Sequence, residues 1–105
     1  MTHPIPIAFR LRRRQWRVRR LVSSVSGKHA GLCVPPPPKE IRIYEIANNR
    51  QRTPNEQQKT FWHESTHAIL MTMGHKLARD EKFVTAFALL LEELVRTARF
   101  EDQEA

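Results

Sequence analysis

Two histidines and a glutamate in the segment FWHESTHAIL, residues 61–70, are the residue types of a hydrolytic zinc site. His63 and His67 are four residues apart, so on a helix their imidazoles lie on one face and can bind one ion. Zinc binds imidazole nitrogen, and catalytic zinc sites keep one coordination position for water. Glu64 is rotated by about 100° from His63, which keeps it off the ion but close enough to take a proton from bound water. The spacing predicts two ligands and a base, although a short pattern of this kind also arises by chance on ordinary core helices.

A zinc site of this kind needs a third protein ligand. The downstream candidates are His75, Asp80, Glu81, Glu92 and Glu93. From His67 a helix rises only about 9 Å to Met73, and a six-residue loop can return that distance, so Glu81 can reach the ion. His75 is the second candidate, and Asp80 is more simply explained as a helix cap. The two remaining glutamates lie three turns further along, where we expect a solvated face.

Two helices are delimited by their capping residues. Thr53 followed by Pro54 predicts a helix start, and Gly74 predicts its end, so the motif lies on a helix over residues 54–73. Asp80 can cap a second helix over residues 80–99, and Glu92 of that helix can pair with Arg96. The second helix has an apolar face that we expect to be packed, with residues recurring at three- and four-residue spacing at Phe83, Phe87, Leu90 and Leu94.

The residues before the motif alternate between apolar and polar, which is typical of half-buried strands. Strands are predicted over 5–11, around Trp16 and Val18, over 31–34 and over 40–46, with a hairpin turn at 12–15 and a proline-rich connection at 35–39. A polar tail covers 100–105. The sequence therefore predicts a single α+β domain over residues 1–105: a small, mostly antiparallel sheet of three to four strands, then the HExxH helix and a second packed helix.

The 105-residue chain has 40% hydrophobic residues, a single cysteine and a net charge of +7. One cysteine, Cys33, cannot form an internal disulfide, which fits a reducing, cytoplasmic setting. Residues 1–22 lack the continuous apolar segment of a signal peptide or membrane span, so no membrane partner is expected. Seven arginines within the first twenty residues make polyanion binding an alternative to a simple solubility role. The arginines considered for such binding are Arg12, Arg13, Arg14, Arg17, Arg19 and Arg20.

Two segments, FWHESTHAIL and EKFVTAFALLL at residues 81–91, resemble the small zincins of the ImmA/IrrE-like class. Within that class, the chain more closely resembles the short HExxH proteins commonly encoded by phages and prophages. The resemblance implies a zinc metallopeptidase acting on a peptide or protein in the cytoplasm of a bacterial or phage-infected cell, with Glu81 as third ligand. It also implies that a strand beside the site, here residues 40–46 with Ile41, Ile43 and Tyr44, holds an extended substrate. The alternative is an inactive zincin fold that binds a protein, or that binds nucleic acid through the Arg-rich hairpin.

Overall fold

The chain forms a four-stranded sheet, with one helix packed on the sheet and a second helix packed on the first. The structure is a computed structural model, and it describes residues 5–34 and 38–101. The elements are β1 Ala8–Leu11, β2 Arg14–Leu21, β3 Gly31–Val34, β4 Glu40–Tyr44, β5 Ile46–Ala47, β6 Arg50–Gln51, α1 Pro54–Met73, a 3₁₀ helix Lys76–Arg79 and α2 Glu81–Thr97. The predicted α+β fold with a mostly antiparallel sheet followed by two helices is confirmed.

The sheet has the strand order β1-β2-β4-β3. The two outer pairs, β1 with β2 and β3 with β4, are antiparallel, whereas the central pair of β2 and β4 is parallel. The edges of the sheet are therefore β1 and β3. β4 is interior and has both of its backbone edges paired.

One face of the sheet and one side of α1 make the core. The side chains alternate between the two faces of the sheet, as predicted. The apolar residues Trp16 and Val18 of β2 and Ile41 and Ile43 of β4 face α1. The buried core residues are Trp16, Val18, Ile41, Ile43, Phe61 and Ala68. Phe9 of β1 stacks on Trp16 and meets Phe61 edge to face, with ring centroids 6.2 Å apart in both cases. This packing fixes α1 against the sheet.

The ends of α1 lie where the capping residues predict them. The Thr53 hydroxyl accepts the Glu56 backbone N–H at 3.1 Å, and the Glu56 carboxylate accepts the Thr53 N–H at 2.8 Å, which is a complete capping box. At the other end Gly74 has the left-handed conformation, with φ 66°. No helix of the described residues is long and apolar enough to span a bilayer.

The first hairpin differs from the prediction in its bounds. β1 begins at Ala8 rather than at residue 5, and Ile7 precedes the ladder in a bend with 86% of its surface exposed. The turn is only Arg12 and Arg13, both at positive φ (50° and 68°), so Arg14 already belongs to β2. A two-residue turn of this hand matches the twist of the flanking strands, and arginines adopt it here without the expected Asn-Gly.

The strand predicted over residues 40–46 ends at Tyr44. Glu45 forms a bend, and Ile46–Ala47 pairs with Arg50–Gln51 around a turn in which Asn48 and Asn49 have positive φ. Tyr44, the last residue of β4, is only 5% exposed. The predicted proline connection lies largely outside the described residues, as does most of the predicted polar tail.

The second helix packs through a different face from the predicted one. Asp80 caps it as expected, since its carboxylate accepts the Phe83 backbone N–H at 3.0 Å. Its buried residues are Val84, Ala88 and Glu92, which are small or polar. The predicted apolar face instead remains open to solvent, with Phe87, Leu90 and Leu94 exposed by 46%, 67% and 62%. The predicted packing of this helix is therefore confirmed, but it uses Val84, at the flank of the predicted apolar face, rather than the residues at the centre of that face.

Candidate metal centre

Two histidines from α1 and one glutamate from the first residue of α2 converge on one point. His63 Nε2 lies 3.0 Å from one Glu81 carboxylate oxygen, and His67 Nε2 lies 2.8 Å from the other. One ligand atom from each side chain lies within 4.8 Å of the others. The His63 and His67 rings have their centroids 5.0 Å apart, as the four-residue spacing on one helix face requires.

The 3₁₀ helix fixes the orientation of the His67 ring by contacting the ring nitrogen that faces away from Glu81. His67 Nδ1 lies 2.6 Å from the Ala78 backbone carbonyl, which can only accept a hydrogen bond, so Nδ1 carries the proton. In the neutral ring, Nε2 then presents its lone pair to the cluster. A hydrogen bond from the second ring nitrogen to a carbonyl is the usual support of a metal-binding histidine.

The donor set fits a zinc ion. Tetrahedral zinc at 2.0–2.1 Å from its ligands places neighbouring donor atoms about 3.3 Å apart. The histidine-to-carboxylate separations are a few tenths of an ångström shorter than this. Because the Glu81 side chain is 69% exposed, it can retract by that amount without disturbing the core. Two imidazoles and one carboxylate could give a bound ion three protein ligands, and the solvent side would leave one coordination position for water.

Glu64 lies half-buried beside this cluster. Its pKa is raised to about 7, mainly because burial penalises the charged carboxylate; the nearby His67 opposes this rise, and Glu81 adds to it. A hydrogen bond from the backbone of Cys33 in β3 also favours the ionised form. A carboxylate with a pKa near neutrality has the proton affinity of a general base.

Gly31 sets the distance between α1 and the edge strand. A Cβ atom at this position would come closer to the Thr60 methyl than real Cβ atoms ever do, and it would lie 3.2 Å from Glu64 Cγ. The missing side chain therefore lets the helix lie directly over β3 and brings Glu64 to the strand backbone. The sequence prediction did not include Gly31 in the site, although an isolated glycine in a strand is a known indication of a close approach.

β3 presents an open backbone edge along the cluster. The Tyr44 N–H donates to the Ala30 carbonyl at 2.9 Å. The alternation of an antiparallel ladder then directs the backbone groups of Leu32 toward β4 and those of Gly31 and Cys33 away from the sheet. One of these outward groups, the Cys33 N–H, is already bonded to Glu64.

Two cavities lie on either side of Glu64. The first, of about 310 Å³, is lined by residues of the β3 start, α1 and α2, among them Gly31, Lys59, Thr60, His63 and Leu89. The second, of about 300 Å³, is lined by Leu32, Cys33, His67, Met71, Arg79 and Glu81. Glu64 contributes to both, so the cluster and the base lie between two concave surfaces.

The other predicted ligands lie away from the cluster. His75 caps the 3₁₀ helix, where its Nδ1 accepts the Leu77 backbone N–H at 3.1 Å. Glu92 is only 9% exposed, which contradicts the expected solvated face, but it forms the predicted pair with Arg96 at 3.0 Å. Glu93 is exposed, as expected.

The strand predicted to hold a substrate cannot do so. Ile41 and Ile43 are fully buried in the core, and β4 is paired on both sides, by β2 and by β3. No backbone edge of β4 is therefore open to a peptide. The prediction was wrong because strand order is a long-range property, and the open edge beside the cluster belongs to β3.

The six arginines considered for polyanion binding are all exposed but do not share one face. Arg12 and Arg13 form the hairpin turn. Along β2 the side chains alternate, so Arg17 and Arg19 lie on the outer face of the sheet. Arg20 lies on the α1 side, where it donates to the Gln57 side chain at 3.0 Å. Strand geometry thus divides the basic segment between two faces and a turn.

Comparison with known proteins identified no relatives: no protein-family model, curated protein or solved structure matches the chain. The resemblance to the ImmA/IrrE-like zincins therefore stays a prediction.

Proposed function

We propose that this protein is a zinc-dependent peptidase that hydrolyses peptide bonds at the cluster of His63, His67 and Glu81. The observation that carries the proposal is the convergence of these three side chains beside Glu64, a half-buried carboxylate at an open strand edge. Three protein ligands with an adjacent base are the composition of a hydrolytic zinc site.

The residues around the cluster have distinct tasks in this proposal. Bound zinc would supply Lewis-acid catalysis, which polarises a carbonyl group and acidifies water. Glu64 would accept a proton from that water on its carboxylate and return it to the leaving amine, which suits a pKa of about 7. Ala78 would keep His67 oriented through the 2.6 Å hydrogen bond.

The substrate would bind β3 rather than the interior strand. An extended peptide could add to the open edge through the outward backbone groups of Gly31 and Cys33. Its side chains on either side of the cleaved bond would enter the cavities of about 310 Å³ and 300 Å³. Each cavity is large enough for any side chain, so we expect selection at the two positions that flank the cleaved bond.

The first test is zinc content per chain, measured by elemental analysis of protein purified without added metal or chelator. Wild type should hold about one zinc, and Glu81→Ala should lose most of it because one of three ligands is removed. His75→Ala is the matched control, since His75 lies outside the cluster, and it should keep the wild-type content. No zinc in the wild type after zinc is supplied and the excess is dialysed away would refute the proposal.

The second test separates catalysis from metal binding. Glu64→Gln should retain zinc, because Glu64 is not a ligand, and should lose about 10²–10⁴-fold of the peptidase rate. Chelation should abolish cleavage in the wild type. Zinc bound at full content without cleavage of any peptide in a diverse peptide library would instead favour the catalytically inactive zincin fold.

A second candidate function is polyanion binding by the Arg-rich hairpin. Arg12 and Arg13 favour it, because two arginines in left-handed turn positions cost conformational energy that Asn-Gly would avoid. Binding to duplex DNA at low salt should then fall linearly on a log-log plot with salt, and Arg12→Gln with Arg13→Gln should reduce the slope by about two. Absence of binding at low salt would exclude this function.

A further inference from the structure

The exposed apolar face of α2 is a continuous stripe. It comprises the half-buried Phe83 and the exposed Phe87, Leu90 and Leu94, spaced by four, three and four residues. The Phe83 and Phe87 rings stack with centroids 5.7 Å apart, which extends the stripe without a polar interruption. The 4-3-4 spacing is that of the apolar seam by which two helices pack against each other. Monomeric proteins rarely leave a large contiguous apolar surface exposed to water, and such surfaces usually mark an interaction site.

We propose that a second copy of this chain covers the stripe, with the two α2 helices packed antiparallel about a two-fold axis. If the axis passes between Phe87 and Leu90, then Phe87 of one copy faces Leu90 of the other. Phe83 at one end then faces Leu94 at the other end. Each contact pairs one aromatic ring with one leucine, so the stripe is complementary to itself in size, as an isologous interface requires.

The charges beside the stripe fit this antiparallel register. Lys82 and Glu93 are exposed and each precedes a stripe residue by one position, so both lie on the same flank of α2. A two-fold axis brings this flank of each helix against the same flank of the other. Lys82 therefore faces Glu93 of the second copy, and symmetry repeats the pair. A parallel two-fold arrangement would instead set this flank against the opposite flank of the second helix, so Lys82 and Glu93 would not meet.

The expected interface is small. Two 17-residue helices, each about 25 Å long and packed 8–10 Å apart, bury on the order of 1,000 Å² in total. This is the lower limit for a specific protein interface, so we expect a dimer that dissociates in the micromolar range.

The dimer would leave the cluster of His63, His67 and Glu81 accessible. Glu81 is about 160° around the helix axis from Phe83, on the side where Val84 and Ala88 pack against α1. Each copy would therefore present its own cluster away from the interface, and the proposal holds independently of whether the cluster binds zinc.

Sedimentation equilibrium of the full chain tests the dimer, at loadings from about 1 µM to about 1 mM. The weight-average mass should rise from 12.4 kDa and saturate at twice that value. Leu90→Gln should weaken the dimer by at least about tenfold, because each dimer loses two buried leucines. Met73→Gln is the matched control: Met73 is an apolar residue with 54% of its surface exposed, but it lies at the end of α1 and outside the stripe, so the dissociation constant of this variant should match that of the wild type.

A charge reversal tests the register. Lys82→Glu should weaken the dimer, and Lys82→Glu combined with Glu93→Lys should restore it to within about threefold of wild type. Far-UV circular dichroism of each variant establishes that the fold is retained.

Three outcomes would overturn the proposal. They are a monomeric mass at every loading, aggregation that does not saturate at two copies, and equal weakening by Met73→Gln and Leu90→Gln. A double reversal that stays weak would overturn the antiparallel register. A chain that stays monomeric but binds phosphatidylcholine vesicles through Leu90 would assign the stripe to a membrane surface instead.

Discussion

Gly31→Ala is the substitution that most directly tests how α1 is seated on the edge strand. Gly31 does not have a positive φ, so alanine is compatible with its backbone. By unfolded-state entropy alone the change would stabilise the protein by about 0.4–1 kcal/mol. In this structure the added Cβ overlaps the Thr60 methyl and lies 3.0 Å from the Arg42 carbonyl oxygen. Overpacking of this kind costs about 1–3 kcal/mol, so we expect net destabilisation.

Thr60→Ser provides the specific rescue. Serine removes the methyl that the added Cβ would meet, and it keeps the hydroxyl, which donates to the Glu56 carbonyl at 3.1 Å. Thr60→Ser alone should cost about 1 kcal/mol, as the loss of one buried methyl group usually does. The double variant should be more stable than the sum of the two single effects by about 1 kcal/mol or more.

The assay is urea unfolding followed by tryptophan fluorescence, since Trp16 is 2% exposed and Trp62 packs against the same core. Thr60→Val is the matched control, because valine keeps a methyl in place of the one that clashes, and it should not rescue Gly31→Ala. Additive effects of Gly31→Ala and Thr60→Ser, or a neutral Gly31→Ala, would refute the close approach of α1 to β3.

Three other properties follow from single residues. Arg50 and the hydrogen bond from the Thr53 backbone hold the pKa of Glu56 at about 2. The ionised Glu56 therefore stabilises the fold fully above about pH 5, and this stabilisation is lost as the pH falls through 2. The difference in urea midpoint between wild type and Glu56→Gln should vanish over that range. Burial, and secondarily the charge of Glu64, raise the pKa of the Cys33 thiol to about 12. At pH 8 this thiol should therefore react with a disulfide reagent at least about a hundredfold more slowly than free cysteine. A rate equal to that of free cysteine would contradict this. Arg12→Asn with Arg13→Gly should raise the free energy of unfolding by about 1 kcal/mol, because Asn-Gly adopts the left-handed turn without strain, and an unchanged urea midpoint would count against strain in the turn.

The features that the sequence predicts well depend on neighbouring residues. The bounds of α1 follow from Thr53, Pro54 and Gly74, whose capping signals act within a few residues. The grouping of Glu81 with the histidines follows from chain length, because a short return after α1 leaves the start of α2 little choice of position.

The features that the sequence does not predict are long-range. Nothing in the pattern of residues 40–46 distinguishes an interior strand from an edge strand. The interior position of β4 depends on its pairing with β2 and β3, which are distant in sequence. The periodicity of α2 identified its apolar stripe but not that Phe87, Leu90 and Leu94 lie open to solvent. Val84 and Ala88 form the actual contact with α1 because their small side chains let the helices approach closely.

The Glu64 carboxylate accepts a hydrogen bond from the outward N–H of Cys33 in the edge strand β3. A substitution of Glu64 can therefore change the strand edge as well as the base. A peptide pairing with β3 can therefore use the N–H and C=O of Gly31 but only the C=O of Cys33. Glutamine at position 64 keeps an oxygen for the Cys33 N–H, so Glu64→Gln removes the base while leaving the edge as it is. Alanine would free that N–H for the peptide and change binding together with chemistry. A loss of turnover in Glu64→Gln with unchanged KM therefore assigns the effect to proton transfer, whereas a change in KM in that variant would mean that Glu64 also contributes to substrate binding.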